Sequence, residues 1–246
     1  MDKSIYVAMS GAKETLRAQA ANNHNLANAS TNGFRADLTA FMSRAVEGPG
    51  YASRAYATTS TVGWSRDGGA LMTTGRDLDV AVNGEGWIAV QDVEGREAYS
   101  RAGDLRVDAS GQLRNGSGLA VMGDAGPLAV PPNSSLAIGT DGTISIVPLG
   151  QGAETVATIG RIKLVNPTAE TLERGTDGLF RLRDGTDAAP EAGVRLATGA
   201  LESSNVNAAS AMVNMIELSR QFDLQLKSIR TAEEDARSAA SLLRLG

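Results

Sequence analysis

MVNMIELSRQFDLQLKSIRTAEEDARSAASLL, residues 212–243, decides the reading of this chain. Met212, Met215, Phe222, Leu226, Ile229, Ala236, Ala240 and Leu243 fall on one alternating three-and-four spacing, broken by Ser219 and Glu233. No Gly or Pro interrupts the run, so the spacing predicts one long amphipathic helix. The opening of the chain repeats the pattern. Ile5, Met9, Ala12, Leu16 and Leu26 share the spacing, with Gln19 and Asn23 as polar interruptions. A narrow apolar seam of this kind asks for a partner helix. Two seams at opposite ends predict that the ends meet, coiled-coil fashion, and that the pair then packs against other copies.

Inward from both helices the period changes to two. Leu78, Val80 and Val82 alternate with Asp79 and Ala81, and Trp87-Ile88-Ala89-Val90 follows Asn83-Gly84-Glu85-Gly86. Alternation returns at Leu105–Val107, Ile144–Ile146, Ile162–Leu164, Phe180–Leu182 and Val194–Leu196. Turn signals separate these runs at Asp108–Gly111, Asn115-Gly116, Asp141-Gly142, Asp177-Gly178 and Asp184-Gly185. Short strands closed by Asp-Gly and Asn-Gly predict an antiparallel all-β body.

The remaining segments complete the layout. Ser30-Thr31-Asn32-Gly33-Phe34 is turn chemistry after the first helix. Leu38, Phe41, Met42 and Val46 fit a short helix over 35–46, which Gly48-Pro49-Gly50 would stop. Residues 51–75, rich in Thr, Ser, Gly and Ala, read as an extended connector. Ser203, Ser204 and Asn205 offer caps for the last helix. The expected fold class is α+β, with paired long N- and C-terminal α-helices and a central antiparallel all-β domain. The expected divisions are 1–35, a core helix pairing with 202–246; 36–75, a short helix and linker; 76–201, the β domain; and 202–246, the C-terminal core helix.

Bulk composition narrows the function. The chain has 246 residues and a net charge of −5, with acidic and basic residues nearly balanced. That charge supplies no basic face for nucleic acid and none for anionic lipid. Cysteine is absent, so neither a disulfide nor a thiolate site is possible. No apolar run reaches the length of a membrane-spanning helix, so membrane insertion is not expected. Met1-Asp2-Lys3-Ser4 enters the amphipathic segment directly, without a charged-then-apolar leader, so no cleaved signal peptide is expected.

Two longer segments add a resemblance. NNHNLANASTNGF at 22–34 resembles the N-terminal signature of the bacterial flagellar axial proteins of rod and hook, and LESSNVNAASAMVNMIELSRQF at 201–222 resembles their C-terminal one. DLDVAVNGEGWIAV at 77–90 and YSRAGDLRVDASGQLRNGSGLAVMG at 99–123 are similar to the family's β-domain sequences. The opening Asp2–Gly11 looks most like the members that build the proximal rod. The motif positions are Asn22, Asn23, Asn25, Leu26, Ala27, Asn28, Gly33, Phe34, Ser204, Asn205, Val206 and Asn207. The resemblance implies a helical rod core built from the terminal helices, with Ile5, Met9, Leu16, Leu26, Met212, Met215, Phe222, Leu226, Ile229 and Leu243 at the assembly interface. It further implies copies of the chain and other rod proteins as partners, export by the flagellar type III apparatus, and a place in the periplasm-spanning basal body. Distal rod and hook subunits are the neighbouring alternatives within the family.

The chemistry-bearing residues read blandly. His24 is the sole histidine, whereas histidine metal sites and Ser/His triads need partners. Local hydrogen bonding at the helix end is its simpler reading. Asp77 and Asp79 invite a glycosidase-type carboxylate pair, but alternation places both on the solvent face of a strand. Asn83–Gly86 lacks the following helix that phosphate binding requires. Asp108–Gly111 lacks the further ligands of a calcium loop. No catalytic, cofactor or metal site is therefore expected. A β-sandwich hydrolase or carbohydrate-binding module with helical oligomerisation arms stands as the reading from another class.

Overall fold

The computed structural model describes residues 4–45, 55–151 and 155–243. The chain forms two compact units that share it discontinuously. The first comprises 1–29, 36–65 and 206–246; the second comprises 30–35 and 66–205.

The first unit contains both helices seen among the described residues. Helix α1 spans Ser4–Ala27 and helix α2 spans Ala208–Leu243, and the two pack together. Between them in sequence comes an antiparallel hairpin of β1 (Asp37–Ala45) and β2 (Ala55–Trp64), paired from Asp37 with Trp64 to Ala45 with Ala55. The hairpin lies on α1, where the Ser10 hydroxyl donates to Ala57 O at 3.0 Å.

The expected fold class is corrected by this hairpin. The terminal unit is not a helical core alone but two helices of unequal length, 24 and 36 residues, with a two-stranded sheet. The short helix expected over 35–46 is strand β1, and the expected connector over 51–75 contains β2 and a further strand, Leu71–Thr73. Leu38, Phe41 and Met42 sit at helical spacing but are all exposed, so their spacing carried no burial information. The Thr-rich run 58–61 supplies the β-branched partner strand that a single-segment reading of 35–46 ignores. Val46 and Gly48–Gly50 lie outside the described residues.

Helix α2 begins five residues after Ser203. Asn207 caps it, its side-chain oxygen accepting from the Ser210 amide at 3.0 Å, so the cap expected at Ser203, Ser204 or Asn205 moves to the next Asn.

The second unit is built from antiparallel sheets. Its main sheet has nine strands, running in order through Leu172–Arg174, Phe180–Leu182, Glu97–Ser100, Trp87–Gln91, Ala120–Gly123, Leu113–Arg114 and Arg106–Val107. Two further strands, Gly126–Pro127 and Leu164–Val165, pair off this path. A three-stranded sheet of Asn133–Ile138, Thr143–Pro148 and Ala157–Arg161 accompanies it. Arg195–Thr198 pairs with Val80–Asn83, and Ala200–Glu202 with Leu71–Thr73. Val80, Val82, Ile88, Val90, Leu105, Leu113, Val121, Ile144, Ile162 and Leu196 form the buried core.

One face assignment is also corrected. Val80, Ala81 and Val82 are buried on both sides of their strand, and Asp79 is buried with its carboxylate 3.4 Å from the Arg76 guanidinium. Asp77 alone keeps the expected solvent position. A strand covered on both faces carries no alternation, and that removes the basis for placing Asp79 outside.

Candidate functional site

The terminal helices divide into inward and outward faces. On α1, Ala8, Ala12, Thr15 and Ala18 are buried, and Glu14 is buried with its carboxylate 2.9 Å from Arg17. These short side chains let α2 approach closely. A Cβ built on Gly11 would stand 2.9 Å from Gln225 Cδ, and the Asn22 amide donates to Ala211 O at 2.8 Å. On α2, Ala211 and Ala232 are buried while Met215, Phe222, Leu226 and Ile229 are half-buried.

The sequence-derived interface residues therefore fall into two groups. Ile5, Leu26, Met215, Phe222, Leu226 and Ile229 are half-covered within this one chain, whereas Met9, Leu16 and Met212 are exposed. Leu243 ends α2. Sequence reasoning missed other outward residues: Tyr6 on α1, Val213, Ile216 and Leu224 on α2, and Leu38, Phe41 and Met42 on β1 are all exposed. The signal for them was spacing. Tyr6, Met9, Lys13 and Leu16 follow the same three-and-four rule as the inward face, one position displaced. Exposed apolar side chains gathered on one unit mark an interaction surface better than scattered ones do.

The Asn-rich motif ties α1 to β1. His24 Nδ1 lies 2.8 Å from the Asp37 carboxylate, while the Asn25 side chain donates to Asp37 O at 2.9 Å and accepts from its amide at 2.8 Å. Asn28 donates through its side chain to His24 O at 2.9 Å. Asn23 and Ala27 are exposed. A concavity of about 390 Å³ lies where α1, β1 and α2 meet, lined in part by Ala18, Asn25, Phe41, Leu218 and Gln221. Another, of about 650 Å³, lies in the second unit against Pro131 and Pro132, with Asp108 its one titratable lining residue.

Gly33, Phe34, Ser204 and Asn205 belong to the second unit, and Val206 and Asn207 to the first. The Gly33 amide donates to Glu202 O at 2.8 Å, and Gly33 adopts φ 69° with no room for a Cβ, which would fall 2.3 Å from Arg101 C. Phe34 is buried beneath the Arg174 guanidinium, 4.4 Å away. The Asn205 amide donates to Phe34 O at 3.2 Å and its side chain to Asp67 O at 2.8 Å. Ser204 and Val206 are half-buried, and Asn207 caps α2.

Beside this motif lies a buried ionic cluster that sequence reasoning did not single out. Glu202 accepts from the Arg35 guanidinium at 2.8 Å on one oxygen and from Arg101 at 2.8 Å on the other, and all three side chains are buried. Burial pushes the Arg35 pKa down from the ordinary arginine value, with Glu202 opposing and Arg101 adding to the shift. Arg101 also stands 5.5 Å over the Trp87 ring, which meets Phe180 at 4.4 Å. Its sequence signal was available: Arg101 and Glu202 lie inside two quoted family segments, and Arg35 directly follows a third.

Comparison with known proteins accords with this arrangement. Residues 197–242 match the model of the flagellar basal body rod FlgEFG protein C-terminal family, and residues 81–146 match that of the flagellar hook protein FlgE/F/G D1 domain. The chain is 45% identical to the flagellar basal-body rod protein FlgF of Escherichia coli and 42% identical to that of Salmonella typhimurium, covering 99% of both chains in each case. The flagellar basal-body rod protein FlgG of Bacillus subtilis is 29% identical over 99% of this chain and all of its own length. With sequence identity of this level running from end to end, and with both terminal signatures seated where α1, the hairpin and α2 are fastened, the chain belongs to the flagellar basal-body rod protein family.

Proposed function

We propose that this chain is a structural subunit of the proximal flagellar rod, assembling with other rod proteins in the basal body and catalysing nothing. The observation that carries the reading is identity of 45% over 99% of both chains with a protein named for the rod, FlgF. Identity to the FlgG of Bacillus subtilis is lower, 29%, which favours the FlgF branch.

The exposed apolar residues of the first unit support assembly through that unit. Tyr6, Met9, Leu16, Met212, Val213 and Ile216 offer area that a neighbouring subunit would cover, at roughly 1.5–3 kcal/mol per large side chain fully buried. The half-covered Ile5, Leu26, Met215, Phe222, Leu226 and Ile229 would complete their burial in the same assembly. Copies of this chain and adjoining rod proteins are the partners in this reading. The chain reaches the periplasm-spanning rod through the flagellar type III apparatus, and there transmits torque.

Imaging of basal bodies purified from cells with and without this protein tests the proposal. Loss of the rod beyond its cell-proximal base, restored by the intact gene, is the expected result. A complete rod in the deletion strain overturns it.

A further inference from the structure

The second unit is not one continuous stretch of chain. It begins at Ser30, is left at Arg35, resumes at Arg66 and is left again at Asn205. The polypeptide therefore crosses its boundary four times, and each crossing lies within a few residues of one carboxylate.

Glu202 gathers these segments. One carboxylate oxygen accepts from Arg35 at 2.8 Å and from the Gly69 amide at 3.0 Å; the other accepts from Arg101 at 2.8 Å. Its carbonyl accepts from the Gly33 amide at 2.8 Å. Arg35 in turn donates to Asp67 O, and Asn205 reaches both Phe34 O and Asp67 O. Arg101 anchors the group to the sheet by donating to Val82 O at 3.3 Å and to Gly84 O at 2.6 Å. The approach leaves no slack: a Cβ on Gly69 would fall 1.8 Å from Ser203 O.

A buried ion pair is a poor source of net stability, because desolvation of the charges consumes most of the attraction. What such a group supplies is a single permitted arrangement, since any displacement strands a buried charge. We propose that Arg35, Glu202 and Arg101 are positioning residues forming a clasp, which fixes the four chain crossings of the second unit in one arrangement and does little for the stability of the sheet itself.

Hydrogen exchange on the full chain tests this. In Glu202→Gln, which keeps the shape and the acceptor for Gly69 but removes the charge, the Gly33 and Asn205 amides should exchange at least roughly tenfold faster. The sheet amides of Ala89 and Leu113, bonded to Lys163 O at 3.0 Å and Leu128 O at 2.9 Å, should hold within about twofold of the parent rate. Arg101→Lys, which keeps the charge and loses the fork of bonds, should give the same split and covers the case in which Glu202→Gln does not fold. Uniform acceleration of all four amides, unchanged exchange, or failure of both variants to fold would each overturn the clasp, the first and last by making the cluster part of the sheet's own stability.

Discussion

At the residue scale, the second unit depends on atoms that nearly touch. Gly69 packs against the Ser203 carbonyl, where a Cβ would lie 1.8 Å from the oxygen. Gly69→Ala is expected to cost about 1–3 kcal/mol, the usual range for forcing extra volume into a packed site, read as a lower denaturation midpoint in urea. Acid acts through other residues. Asp92 is buried, which raises its pKa, but bonds from Arg181 at 2.8 Å and from the Arg96 and Glu94 amides, each at 2.9 Å, outweigh burial and hold it below the ordinary value. Asp177, bonded to the same Arg181, is also held low. A depressed carboxylate contributes stability that is present above its unfolded pKa and lost as pH falls through the folded one. Melting temperature is therefore expected to stay level from pH 7 to about 5 and to fall below about pH 4, and Asp92→Asn should show a smaller fall. Asp177 was legible in the sequence, because an Asp-Gly pair reports on its own neighbourhood, whereas Asp92, in Asp-Val-Glu-Gly, was not among the turn signals. The Arg35–Glu202–Arg101 cluster was not legible either, since Arg101 and Glu202 stand 101 residues apart, Arg35 lies farther still from Glu202, and chain order says nothing of their meeting.

At the element scale, the two helices were readable because each writes its period within itself. Their partners were less so. Spacing located a seam on α2, and the structure half-covers Met215, Phe222, Leu226 and Ile229 of that seam inside the same chain. A charge placed at Leu226 or Ile229 would thus damage the fold together with any interface. The outward face separates the two effects. Met9→Asp and Leu16→Asp are expected to change monomer stability by under about 0.5 kcal/mol yet abolish swimming in soft agar, while Ala18→Leu, on a buried position, should destabilise by about 1–3 kcal/mol. Normal swimming of both Asp variants would remove this face from assembly. The β1–β2 hairpin escaped the sequence reading for a different reason: its apolar residues Leu38, Phe41 and Met42 are exposed, so their spacing does not report a buried face.

At the scale of the whole molecule, the β body was legible as a class but not as a topology, because pairings such as Arg195–Thr198 with Val80–Asn83 join distant segments. The same discontinuity yields a test. A fragment of residues 66–205 lacks Arg35, so Glu202 keeps only Arg101 of its two cations. It also loses the buried Phe34 ring, and for that reason is expected to melt well below a fragment of residues 30–205, by the roughly 3–5 kcal/mol that removing a buried phenylalanine side chain costs. Equal melting would show that the short insertion carries none of the unit's stability. The interleaving also sets a timetable for synthesis. Asn22 and the Ala211 carbonyl it bonds are 189 residues apart. At roughly 5–20 residues per second, a ribosome delivers the second about 10–40 s after the first. Throughout that interval the newborn leading helix can lie against the hairpin that follows it but has no α2 to pair with, and neither unit is a cassette that could be cut out and grafted as one uninterrupted piece.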